Sequence, residues 1–142
     1  MTNSKTLDKF SLDGKVVIIT GGAGFLGMQY ALGLGKAGAK IMIWDNMGIE
    51  KLKACVLHLE LSEIKKFFVV SRVDVTDERK VKDAVNITLY RFGRIDVLIN
   101  NAAMNPAVGS EESKGQFVPY DEYPIDLFRK EIDVNLVGSM IC

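Results

Sequence analysis

The stretch Lys15-Val16-Val17-Ile18-Ile19-Thr20-Gly21-Gly22-Ala23-Gly24-Phe25-Leu26-Gly27 decides how this chain folds. Its first half is a short run dominated by β-branched residues, the pattern of a strand buried on both faces in a parallel sheet. Its second half is a glycine cluster, and Phe25 to Lys36 beyond it reads as a helix. Apolar residues Leu26, Tyr30, Leu34 and Ala37 recur there at steps of three and four. Gly38 offers a natural C-terminal stop.

The same strand–helix unit repeats downstream. Lys40 to Trp44 is a second apolar run, closed by Asp45, and Ile49 to Leu61 carries Leu52, Cys55, Val56 and Leu59 at helical spacing. A third strand runs from Phe67 through Val73 and is closed by Asp74 and Val75. Thr76 is suited to cap the next helix, with Asp77 and Glu78 complementing the dipole of its first turn. That helix places Val81, Ala84, Val85, Thr88 and Leu89 on one face and stops at Gly93. Ile95 to Ile99 is a fourth strand, closed by Asn100 and Asn101. The segment from Met104 to Tyr123 holds two of the three prolines and reads as a surface loop. A final helix starts near Pro124 and runs through Phe128, Ile132, Leu136 and Met140. Strands alternating with helices imply a parallel α/β sheet with right-handed crossovers, in a single domain over residues 1–142.

Bulk properties exclude several classes. Lysine plus arginine number 18, as do aspartate plus glutamate. No basic excess therefore points to nucleic acid or an anionic membrane surface. Cys55 and Cys142 lie far apart and outside any CxxC pair, as reduced thiols of a cytosolic protein do. Residues 1–13 lack the apolar run of a signal peptide, and no stretch is long enough to span a bilayer. The expectation is a soluble, cytoplasmic protein without nucleic-acid or membrane partners.

Glycines at the strand–helix junction have a chemical reason. A side chain would keep the backbone away from a pyrophosphate, and Gly27 lets the helix pack closely on the strand. Thr20, Gly21, Ala23, Gly24, Phe25, Leu26 and Gly27 thus form a candidate dinucleotide cradle, with the free N–H groups and dipole of a helix N-terminus facing the phosphates. No Gly-Lys-Ser/Thr follows, which argues against a nucleoside-triphosphate loop. Asp45 lies eighteen positions after Gly27, where a carboxylate can accept hydrogen bonds from both adenosine ribose hydroxyls and repel a 2′-phosphate. Asn46 follows it, and the glycine loop holds no Lys or Arg, so NAD is favoured over NADP. Taken alone, Asp45 and Asp74 also fit solvated strand ends, and Asn100 and Asn101 an Asn-stabilised turn. His58 and Trp44 read as ordinary packed or solvated residues.

Together these residues resemble the short-chain dehydrogenase/reductase family, from about Leu12 onward. Asn100-Asn101-Ala102-Ala103 is similar to the family's Asn-Asn-Ala-Gly, with alanine for the last glycine. Asp74-Val75 is similar to its adenine-contacting pair. The resemblance implies that Asn101 and Ala102 stabilise the sheet and line the adenosine ribose, with Ala103 beside them among the cofactor-binding residues. It implies that Asn135, in Asp133-Val-Asn-Leu136, is the asparagine of the catalytic Asn-Ser-Tyr-Lys set, which holds a helix distortion and a water in a proton relay. The fold implied is a Rossmann-type doubly wound parallel sheet of strand order 3-2-1-4, ending after the fourth βα unit. The activity implied for the whole protein is hydride transfer between NAD and a small secondary alcohol or ketone, including sugars, by a homo-oligomer.

Two departures stand out. The loop spacing TGxxGxxG is that of the extended, epimerase-like branch, whereas Asn-Asn-Ala and Asp133-Val-Asn135 match the compact one, which we favour. The Met104–Tyr123 loop resembles oxidoreductases of surface-polysaccharide and flagellin modification. The family's tyrosine and lysine lie four residues apart, but Tyr30, Tyr90, Tyr120 and Tyr123 are followed at that spacing by Leu34, Arg94, Pro124 and Leu127. The expectation is thus a chain that lacks the catalytic pair, incomplete at its C-terminus and inactive by itself. The rival reading is a non-catalytic dinucleotide-binding module.

Overall fold

The computed structural model describes residues 10–60, 68–104 and 118–142. Four parallel strands form one sheet: β1 (Val16–Thr20), β2 (Lys40–Asp45), β3 (Phe68–Arg72) and β4 (Val97–Ile99). Their spatial order is β3-β2-β1-β4, as expected. Val16 pairs with Lys40, Val17 with Val97, and Asp45 with Arg72. The helices between them are α1 (Phe25–Lys36), α2 (Ile49–Glu60) and α3 (Glu78–Phe92).

The unbroken β-branched run of β1 is buried along its whole length because both faces of the sheet are covered. On one face Val17, Ile19, Ile41 and Ile43 pack with Ala31, Cys55 and Leu59. On the other, Ile18, Met42 and Trp44 pack with Val73, Val81 and Ala84. Burial pushes the Cys55 thiol up to about 11, helped by the negative charge of Asp45. His58 is exposed.

Three local expectations need correction. First, α1 buries Gly27, Ala31 and Gly35, while Leu26 and Tyr30 stay exposed. Small residues four apart let the helix axis approach the sheet, and that proximity outranks the bulk of the apolar stripe. Second, the cap of α3 is Asp77, whose carboxylate accepts from the N–H groups of Arg79 and Lys80. Thr76 instead donates its hydroxyl and its N–H to Asp74 Oδ1, at 2.7 and 3.0 Å. Third, β4 spans only Val97–Ile99. Just before it, the Asp96 N–H donates to Val16 O while the Asp96 carboxylate accepts from Val16 N–H. The Arg94 guanidinium beside it, with that N–H, holds the Asp96 carboxyl down at about 2.

After β4 the described chain resumes with a 3-10 turn at Tyr120–Glu122 inside the expected loop, most of which lies outside the described residues. Helix α4 (Ile125–Ile132) runs into a π-helical segment, Asp133–Val137, and then α5 (Gly138–Ile141). Phe128, Leu136 and Met140 are exposed on this segment, as are Val97 and Leu98 on the outermost strand β4. No helix among the described residues is long and apolar enough to cross a membrane.

Candidate functional site

The C-terminal ends of all four strands meet at one edge of the sheet, the edge at which ligands bind in open α/β folds. The glycine loop turns there because Gly21 takes φ +61° and because its backbone lies against the segment that follows β4: a Cβ on Gly21 would sit 2.8 Å from Ala102 Cα. Gly24 then opens α1 in an extended conformation. No side chain caps that helix and no acidic residue occupies its first turn, so its N-terminal donors and dipole face the cleft uncompensated.

Asp45 is buried at the end of β2. Its Oδ2 accepts from Ala23 N–H and its Oδ1 from Met47 N–H, both at 3.0 Å. The carboxylate thus ties the glycine loop to β2 while each oxygen keeps a further lone pair for a ligand. Ala23 serves the site through this N–H rather than by lining it.

Thr20 and Asn101 join the ends of β1 and β4. The Thr20 hydroxyl accepts from the N–H groups of Asn101 and Ala102, each at 3.0 Å, and faces Ile99 O. The Asn101 amide donates to Thr20 O at 3.0 Å and Gly21 O at 3.1 Å. Thr20 is therefore a buried positioning residue beneath the loop. Thr20→Val keeps the shape but removes the acceptor of the Ala102 N–H, while the Asn101 N–H keeps Ile99 O as acceptor; one donor left unsatisfied costs about 1–3 kcal/mol. We expect a stability loss of about 1–3 kcal/mol, measurable by urea unfolding. An unchanged midpoint would show that water replaces the hydroxyl.

The cavity over these strand ends has a volume of about 550 Å³, within the usual range for ligand sites. Gly21, Gly24, Phe25, Leu26, Gly27, Asp45, Asn46, Asp74, Val75, Asn101, Ala102 and Ala103 line it, so the sequence motifs converge on one cleft. Met47, Val73, Met104 and Val134 also line it and went unnoticed in the sequence. Met47, Val73 and Met104 flank recognised motifs, a signal that proximity in sequence could have supplied. Val134 arrives from the π-helical segment, thirty-five residues after the end of β4, and nothing local announces it. Among the described residues the lining holds two carboxylates and no cationic side chain. A dinucleotide's pyrophosphate would accordingly be held by the α1 N-terminus, for which the glycine cradle leaves room.

Asn135 does not line the cavity. It sits in the π-helical segment, where its Oδ1 accepts from Met104 N–H at 2.7 Å and its backbone carbonyl accepts from the Ser139 hydroxyl at 3.0 Å. It thus fastens the chain after β4 to the final helix. Gly138 brings that helix onto Val75: a Cβ there would come within 2.7 Å of Val75 Cγ2.

Comparison with known proteins matches this geometry. A family model described as short chain dehydrogenase matches residues 15–142. A short chain dehydrogenase/reductase of Aspergillus oryzae is 34% identical over 135 residues, covering 94% of this chain and 47% of its own. A 2-dehydro-3-deoxy-L-rhamnonate dehydrogenase (NAD(+)) of a Sphingomonas species is 33% identical, covering 91% of this chain and 45% of its own. The crystal structure of an NAD+-bound xylitol dehydrogenase superposes with a TM-score of 0.77 at 32% identity, covering 94% of this chain and 46% of that one. The chain thus spans a little under half the length of these relatives. With the sheet order, the glycine cradle and the Asn101 clasp on one edge, the chain belongs to the short-chain dehydrogenase family.

Proposed function

We propose that the protein is an NAD-dependent oxidoreductase that transfers hydride between NAD and a secondary alcohol or ketone of a sugar-like substrate, acting in the compact branch of its family. The observation that carries the cofactor choice is the buried Asp45 carboxylate. Its two oxygens are oriented by Ala23 and Met47. At the end of β2 it can accept from an adenosine ribose diol, and a 2′-phosphate there would meet a fixed negative charge. Relatives that act on a sugar acid with NAD(+), or bind NAD+ as a xylitol dehydrogenase, support the substrate class. The cofactor supplies the hydride chemistry. The chain's own residues hold it: the glycine loop the pyrophosphate, Asp45 and Asn46 the ribose, Asp74 and Val75 the adenine. Asn135 positions the segment after β4 through Met104.

Calorimetric titration tests this reading. NAD is expected to bind more tightly than NADP. A charge-assisted hydrogen bond contributes roughly 1.5–3 kcal/mol, so Asp45→Ala should weaken NAD by about one to two orders of magnitude. Equal or tighter binding of NADP by the unaltered protein would overturn it.

A further inference from the structure

Beside the main cavity lies a second one of about 350 Å³, lined by Asn46, Arg72, Asp74 and Lys80. The two cavities share Asn46 and Asp74, so they adjoin at the end where Asp45 stands. The sheet creates this neighbourhood. Arg72 ends the edge strand β3 in register with Asp45, about 4.8 Å away across the ladder and on the same face. Lys80 reaches in from the first turn of α3. In the sequence these cations stand twenty-seven and thirty-five positions from Asp45, and neither belongs to the glycine loop or follows Asp45 directly.

Their charges are unevenly available. Lys80 Nζ already lies 3.4 Å from Asp77 Oδ2. The Asp74 carboxylate receives both the N–H and the hydroxyl of Thr76 on Oδ1. Arg72 is exposed, and no salt bridge occupies it among the described residues. Its planar fork of donors suits a phosphate monoester dianion better than a point charge does.

We infer that Arg72, seconded by Lys80, is a subsite for a phosphate on the adenosine ribose, set against the carboxylate of Asp45. This rests on the dinucleotide reading above and adds to it how cofactor choice is balanced. Asp45 opposes a 2′-phosphate from within the main cavity, and Arg72 attracts it from the adjoining one. Discrimination against NADP is therefore narrower than Asp45 alone would impose.

The test isolates the adenosine end with two probes, adenosine 5′-monophosphate and adenosine 2′,5′-bisphosphate, titrated by calorimetry at low and moderate salt. Arg72→Ala is expected to weaken the bisphosphate by about tenfold or more and to flatten its salt dependence, and adding Lys80→Ala should weaken it further. Binding of the monophosphate should stay within about twofold, because it carries no 2′-phosphate for either cation to pair with. A bisphosphate affinity unchanged in the double variant, with the monophosphate still bound, would overturn the subsite and leave the dinucleotide site intact. Failure of the unaltered protein to bind either probe would overturn the dinucleotide site and the subsite with it.

Discussion

The 142-residue chain, assayed with NAD, NADH and a panel of sugars, secondary alcohols and ketones, is expected to show no dehydrogenase turnover while retaining measurable affinity for the adenosine half of the cofactor. The groups proposed to hold adenosine and pyrophosphate all belong to the four strands and the loops that leave them. Moving a proton to or from the substrate oxygen needs a positioned group of suitable pKa, worth about 10²–10⁴ in rate. Among the described residues, the only titratable side chains lining the main cavity are Asp45 and Asp74, both assigned above to the adenosine half of the cofactor. Asn135 cannot substitute, since an amide neither gives up nor accepts a proton near neutral pH, and its oxygen already accepts from Met104 N–H. Following NADH absorbance at 340 nm is the measurement, with the detection limit set by a curated relative as positive control. Turnover that survives Asn135→Ala would place the acid–base group elsewhere and overturn the roles assigned here.

Gly27→Ala is expected to have a far larger effect than the same methyl group added at Gly33 in the same helix. A Cβ at Gly27 would overlap Gly21 O and sit 2.5 Å from Gly22 Cα. Both obstacles are backbone, so no side chain can rotate away, and α1 must lift from β1. Overpacking of this kind costs about 1–3 kcal/mol. The cradle that α1 forms with the loop should fail with it, weakening NAD by about a hundredfold or more because the pyrophosphate depends on a fixed helix N-terminus. Gly33→Ala in the same helix is the control. Nothing lies within 4 Å of its added Cβ, and removing a helix-interior glycine should stabilise by about 0.5–1 kcal/mol. Urea unfolding and calorimetry on both variants make the comparison. Similar behaviour of the two would show that helix propensity, not close approach, governs the position.

Helix α1 also shows where pattern reading stops. Its boundaries and its cap region were legible because glycines and β-branched residues act locally. Its buried face was not, because hydropathy ranks Leu26 and Tyr30 above Gly27, Ala31 and Gly35. Which stripe faces the sheet is set by how near the helix can come, a distance no window of residues contains. The cap of α3 is a similar case: Thr76 and Asp77 are both good N-caps, and Asp74 decided between them by taking the Thr76 hydroxyl.

Local chemistry alone was enough for the alternation of strands and helices, the parallel sheet, the glycine cradle, and the carboxylate and amide residues at the strand ends. Each depends on residues within a few positions of one another, and each sits where it was expected. What required the folded chain is everything that joins distant segments. Thr20 meets Asn101 across eighty-one positions, Met104 meets Asn135 across thirty-one, and Val75 receives Gly138. Arg72 comes beside Asp45 only because β3 pairs with β2 in that one register. Periodicity and turn chemistry are properties of a short window, whereas register and helix–sheet distance are settled by packing the whole core at once. The chemical kinds of the site residues could therefore be read in order along the chain, and their partnerships only in space.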